Sequence, residues 1–183
     1  MPAVVILCER NGFNPGVTTE NINNINWKSI DDVLTPFSTT PAAIGLGSNS
    51  YAKYNYFKFS GMFTTIANVK ITRIAGQFGN GVKLMSSPSM LGDSNRKPYN
   101  TPVRFINNGL TPTDLTSLGS SVNLFVGSLL SGTDGPASPG KNMVANNMGA
   151  PVYTNYFITQ IQTSPISETG DNLIILQLSY DES

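Results

Sequence analysis

The chain has 183 residues, with 11 Lys and Arg against 11 Asp and Glu, one cysteine (Cys8) and no histidine. Without histidine the Ser-His, Cys-His and zinc-histidine sites cannot be assembled within one chain, and a lone cysteine excludes an intrachain disulfide. The 39% hydrophobic content suits a single core, while 17 Gly, 12 Pro, 20 Asn, 19 Ser and 17 Thr favour turns and short strands over long helices.

The run Val4-Val5-Ile6-Leu7-Cys8 reads as a buried strand, in which Cys8 packs as a small hydrophobe. It is too short for a signal-peptide core, and Glu9 and Arg10 follow at once. Asn11-Gly12 and Asn14-Pro15-Gly16 end it with turn signals. The segment 21–26 is asparagine-rich, and Ile22 and Ile25 lead into Trp27. Residues 29–34 suit a short helical turn stopped by Pro36, and 37–50 reads as an extended surface loop. The densest element is 51–59. As a strand it sends Tyr54, Tyr56 and Lys58 to one face and Lys53, Asn55, Phe57 and Phe59 to the other, so both faces are expected to be covered. Residues 69–74 alternate more cleanly, as on a sheet with one wetter face. The glycine-rich stretch 76–81 reads as a tight hairpin turn before a short strand at 82–85.

Residues 86–102 carry Pro88, Gly92, Pro98 and Pro102 among polar residues and read as a long exposed excursion. Residues 103–106 suit a strand or loop anchor. Thr111-Pro112-Thr113-Asp114 suits the opening of a short helix, with proline at its start. Residues 121–126 suit another strand, and 132–140 are rich in breakers. The last third reads as the clearest hairpin, with 153–163 returning through a loop at 165–172 to 173–180. That strand places Ile174, Leu176, Leu178 and Tyr180 on one face, and its pairing with 4–8 would close the ends of the chain. Many short strands with long connections predict an all-β fold, a β-sandwich or jelly roll with at most short helices. One domain spanning 1–183 is expected, with extended loops near 37–50, 86–102 and 132–151. Its expected core holds Tyr54, Phe57, Phe59, Val69, Ile71, Phe157, Ile161, Leu176 and Leu178.

The charges are unevenly spread. Residues 28–104 hold nine basic and three acidic groups, and residues 105–183 one basic and six acidic. Such a split favours head-to-tail packing of copies, although scatter over a small domain's surface explains it as well. There is no dense Lys/Arg run, so no direct nucleic-acid partner is expected. No apolar stretch approaches a membrane span, so no membrane partner is expected either.

Candidate chemical sites each have a plainer reading. The stretch 76–81 lacks the helix and Lys-Ser/Thr pair of a phosphate loop. Asp31 and Asp32 are adjacent and so diverge, which suits a solvated surface better than an acid–base pair. Glu168 and Asp171 flank Gly170 without the ligand spacing of a calcium loop. The aromatics of 51–63 suit core packing better than sugar or base stacking. The serines have no histidine partner. Accordingly no catalytic residue, cofactor site or metal site is assigned, and the chain is expected not to be an enzyme.

Several blocks taken together resemble a family of small virion structural proteins of tailed bacteriophages. They are the N-terminal strand ending in Glu9-Arg10-Asn11-Gly12, then Ile25-Asn26-Trp27. The most characteristic block runs from Tyr51-Ala52-Lys53-Tyr54-Asn55-Tyr56-Phe57-Lys58-Phe59 through Ser60-Gly61-Met62-Phe63, and continues at Ile66-Ala67-Asn68-Val69-Lys70. Gly79-Asn80-Gly81-Val82, residues 156–163, Gly170-Asp171 and the closing Leu178-Ser179-Tyr180-Asp181-Glu182 complete the set. The middle, about 86–150, departs most from the pattern. The resemblance implies a structural part of the particle without catalysis, made in the host bacterial cytoplasm and ending in the virion. A capsid decoration or cement protein is one placement, a homo-oligomer with a trimer favoured, sitting where capsomers meet and bridging major capsid protein subunits. A neck, tail or baseplate ring is the other, and a receptor- or carbohydrate-binding module is a third class.

Overall fold

Twelve strands and no helix make up the regular structure of the computed structural model, which describes residues 2–11, 17–30, 43–89, 112–127, 143–145, 149–170 and 173–183. In chain order they are β1 (Val4–Asn11), β2 (Val17–Thr19), β3 (Lys53–Ser60), β4 (Thr65–Gly76), β5 (Val82–Ser89) and β6 (Thr113–Asp114). There follow β7 (Ser121–Asn123), β8 (Val126–Gly127), β9 (Met143–Ala145), β10 (Val152–Thr154), β11 (Tyr156–Thr163) and β12 (Ile174–Glu182). They form two antiparallel sheets packed as a β-sandwich. The larger has eight strands, in the order β2-β1-β3-β11-β5-β6 with β10 bridging β3 and β8. The smaller has four, in the order β12-β4-β7 with β9 also on β4.

The main core lies between the sheets and follows the two-residue period of the strands. Phe57 and Phe59 of β3, Phe157 and Ile161 of β11, and Val82 and Leu84 of β5 meet Ile66, Val69 and Ile71 of β4 and Val122 of β7. Register keeps these side chains on one face, since Leu7 pairs with Phe57, Phe157 with Asn55 and Ile161 with Leu84. Leu176 and Leu178, expected in the core, pack against it half-buried, and β12 pairs only with β4 among the described residues. Tyr54 is buried, but it belongs to a second cluster on the opposite face of the large sheet, with Cys8, Tyr56, Tyr156 and Ile158. Both faces of β3 are thus covered, as its sequence predicts, because it is a central strand.

The hairpins expected from the sequence are mostly arches between the sheets. β4 lies in the small sheet and β5 in the large one, so the turn at 76–81 crosses the sandwich. Likewise β11 lies between β3 and β5, while β12 pairs with β4, so the last two strands are not a hairpin. β12 does not pair with β1 either. Near the ends of the chain Ala3 N donates to Glu182 Oε1 at 2.8 Å. The expected strand 121–126 splits at Leu124–Phe125 into β7 and β8 in different sheets. The expected strand 153–163 breaks at Asn155, where the register along β3 slips by one residue: Val152 faces Phe59, but Phe157 faces Asn55. Buried Asn155 holds that break by donating its N–H to Phe125 O at 2.9 Å and accepting Phe125 N–H on Oδ1 at 3.0 Å.

Other segments differ from their sequence reading in extent. Val4 is 59% exposed, and within residues 4–10 of β1 only Cys8 and Glu9 are buried, because its early residues lie on a sheet edge. Thr113–Asp114 pairs with Met85–Ser86 as β6 rather than opening a helix, and Asp114 Oδ1 accepts Thr116 N–H at 2.8 Å. β5 extends to Ser89, so 86–89 belong to the sheet rather than to a loop, and Ser86 is fully buried. Within 37–50, Ser50 is fully buried and docks on β11, its N–H reaching Ile161 O at 2.9 Å. Within 132–151, β9 pairs with Thr65–Ala67. Of the helical turn at 29–34, residues 31–34 lie outside the described residues, as do 103–106.

Candidate functional site

Two side-chain groupings on the large sheet carry the polar and titratable residues with the most unusual surroundings. On the inner face, Glu9, Lys53 and Asn55 come from neighbouring strands, with Glu9 directly opposite Asn55. Lys53 Nζ donates to Glu9 Oε1 at 3.1 Å, with the side chains 2% and 9% exposed. Asn55 Nδ2 donates to Cys8 O at 3.3 Å and lies 3.4 Å from Glu9 Oε2. Thr159 pairs with Lys53 and accepts the Trp27 indole N–H on Oγ1 at 3.0 Å. The 21–30 segment is therefore pinned at several points, since Ile22 N also donates to Leu7 O and Lys28 O accepts Tyr51 N–H. Asn55 Oδ1 and Ser86 Oγ, buried on the same face, have no hydrogen-bond partner among the described residues. Desolvating such groups costs free energy, so this part of the face adds little net stability.

The sequence parity of β3 had placed Lys53 and Asn55 beside Phe57 and Phe59, but not their partner. Glu9 was read only as the charged end of a strand. Its burial follows from the β1–β3 register, which no feature of the sequence specifies.

On the outer face, Tyr54 and Tyr56 both meet Tyr156 edge-on, with ring centroids 5.5 and 5.9 Å apart. Tyr153 tilts against Tyr56 at 6.2 Å. Tyr54 and Tyr56 are 5% and 6% exposed, so these rings pack on one another rather than presenting open stacking faces. Burial pushes the Cys8 thiol up from its ordinary value, and the Glu20 carboxylate adds to the shift. A thiol so shifted stays protonated and is a poor nucleophile. Burial, then Cys8, pushes the Tyr56 phenol well above its usual range. At the rim Lys58 Nζ lies 3.0 Å from both Glu20 carboxylate oxygens, which raise its pKa.

Comparison with protein-family models, with curated proteins and with solved structures returns no match.

The positions weighed from the sequence take structural roles where they are described. Glu168 folds onto the 76–81 arch, accepting Asn80 N–H at 3.0 Å and Asn80 Nδ2 at 2.7 Å. Ser167 Oγ donates to Gly81 O at 2.7 Å. At the other side of the arch, Arg73 is buried, donates to Gly76 O at 2.8 Å and lies 4.9 Å over the Phe78 ring. The carboxylate weighed as a calcium ligand is thus spent on an inter-sheet turn. Asp31, Asp32 and Asp171 lie outside the described residues. Among the described residues no group of three or more His, Cys, Asp or Glu is placed to hold a metal ion, and no helix is long and apolar enough to cross a membrane.

Proposed function

We propose that this chain is a non-enzymatic structural protein of a tailed-bacteriophage particle, acting as a capsid decoration or cement protein that bridges major capsid subunits. In this reading it works as a homo-oligomer, with a trimer favoured, and contacts neither nucleic acid nor membrane. The reading rests on the family resemblance. Most of the blocks that carry it fall on β1, β3, the first half of β4, β11 and the end of β12, strands that frame the core, while 25–27 and 79–81 lie on connections between strands. What the resemblance speaks for is therefore the scaffold.

The physics of that scaffold suits a clamp. The polar groups of the arches bond inward: Glu168 and Ser167 hold the 76–81 turn, and Thr163 Oγ1 donates to Gly45 O at 2.8 Å and accepts Ser48 N–H at 3.1 Å. Loops tied in this way keep their shape when loaded from outside. A disulfide-free fold is also compatible with assembly in a reducing bacterial cytoplasm.

Particles made without the chain test the placement. A cement protein leaves expanded shells that rupture at lower temperature or lower salt, and purified protein added back restores their resistance. Unchanged shells with failed head–tail joining move the chain to a neck, tail or baseplate ring. Particles unaffected in both respects reject the proposal.

A further inference from the structure

The edge of the small sheet is built unlike the other sheet edges. β12 has nine residues and pairs only with β4 among the described residues. The outermost strands of the large sheet, β2 and β6, have three and two residues, and β7 and β9 have three each. The early part of β1, also on an edge, is capped where Ile22 N–H reaches Leu7 O. Exposed edges are ordinarily blunted by short strands, lysine, proline or bulges. β12 has no lysine, arginine or proline.

Two irregularities interrupt its pairing with β4, but both extra residues sit on β4. Ile175 faces Ala75 while Leu176 faces Arg73, which leaves Ile74 over; Ser179 faces Lys70 while Asp181 faces Ala67, where β4 advances three residues against two. Asn68, in that second gap, has φ 52°, the left-handed conformation in which asparagine is common at bulges. β4 absorbs the irregularity, and half-buried and exposed residues alternate along β12 from Ile174 to Tyr180 without a break.

We propose that this edge of β12 is an interface for β12 of a second copy, paired antiparallel about a two-fold axis through Gln177. The strand's own pattern selects that occupant. About this axis Leu176 faces Leu178 and Ile174 faces Tyr180 in the other copy, so four half-buried inner-face positions on each side continue the core as one apolar row. On the outer face Ile175, 51% exposed, faces Ser179, and Leu173, 80% exposed, faces Asp181. Asp181 and Glu182, the two charges of the strand, sit at opposite ends of the paired ribbon. Parallel pairing in register would stack them on their own copies, which like-charge repulsion opposes. A two-fold contact of this kind is self-complementary and joins copies in pairs, or two trimers where the chain is already trimeric, with backbone hydrogen bonding supplying the pairing as in strand addition. The inference does not depend on the particle assignment.

The test uses the full purified chain in sedimentation velocity over a concentration series. The unmodified chain is expected to associate by a factor of two in mass. Gln177→Lys sets two lysines face to face and should weaken that step by about an order of magnitude, as should Gln177→Glu. An equimolar mixture of the two variants should restore it. Gln177 is exposed, and near-ultraviolet circular dichroism confirms that each variant folds. Concentration-dependent amide protection confined to β12 in the unmodified chain gives a second readout that needs no variant. A chain that stays single up to about 1 mM, an assembly of any size unchanged by both substitutions, or β12 amides whose exchange ignores concentration, would each overturn the proposal.

Discussion

Replacing Lys53 with methionine probes whether the buried pair on the inner face fixes the β1–β3 partnership. Methionine keeps most of the length and apolar stem of lysine while removing the ammonium. Glu9, with its side chain 9% exposed, then keeps Asn55 Nδ2 at 3.4 Å as its remaining side-chain hydrogen-bond partner among the described residues. That distance is long for a hydrogen bond, so the carboxylate is left nearly uncompensated. Removing one partner of a buried pair costs about 3–5 kcal/mol. The slight exposure of Glu9 points to the lower end, about 3 kcal/mol, a large share of the ~5–15 kcal/mol that holds a domain of this size. Replacing both charges, Lys53→Met with Glu9→Met, removes the stranded charge and should cost less than Lys53→Met alone. Urea unfolding followed by fluorescence of Trp27, the single tryptophan, reads both variants in the region concerned. A single variant within about 0.5 kcal/mol of the parent, or a double variant whose loss equals the sum of the two single losses, refutes the reasoning, because independent sites add and coupled ones do not.

Phe59→Ala should cost about 3–5 kcal/mol, since Phe59 is fully buried and meets Tyr180 edge-on at 5.0 Å; an equilibrium unfolding change below about 1 kcal/mol contradicts the core assignment. Gly81→Ala should lose about 2 kcal/mol or more, because Gly81 has φ +78° and a Cβ there collides with the Ser164 and Ser167 hydroxyls that hold the arch; thermal unfolding checks it, and an unshifted midpoint counts against that account of the turn. Stability should also fall in alkali. The Cys8 and Tyr56 pKa values are raised by folding, so their contribution is complete below the ordinary thiol value of 9.0 and is lost as pH climbs through the folded values, the unfolded chain holding fewer protons there. Urea midpoints from neutral to about pH 10 should decline, and Cys8→Ala should remove the earliest part of that decline; a flat profile contradicts it.

Side-chain period and turn composition carry the strand content legibly. The alternation in 51–59 gives both faces of β3 correctly, including Lys53 and Asn55 on the face of Phe57 and Phe59. The clean alternation of 69–74 and 174–180 matches strands of the thinner sheet, with one face toward solvent. Which strands are neighbours is not legible. An arch and a hairpin need the same glycine-rich turn between the same apolar strands, so 76–81 and 164–173 give no sign that the chain changes sheet. The burial of Glu9 depends on β1–β3 register, and the β4 bulge at Asn68 is a backbone device that an asparagine in an alternating strand does not announce. Glu168 near Gly170 looks like a cation ligand until the arch brings Asn80 within hydrogen-bonding distance. Long-range register therefore decided the role of each polar residue, and the local pattern decided only its face.

The proposal that this chain belongs to the shell of a bacteriophage particle is tested most directly by its copy number. Quantitative mass spectrometry of intact particles, with the major capsid protein as internal reference, should give a ratio approaching one copy per capsid subunit. A count of a few dozen or fewer contradicts the shell placement in favour of a neck, tail or baseplate ring, and absence from the particle contradicts the virion reading altogether.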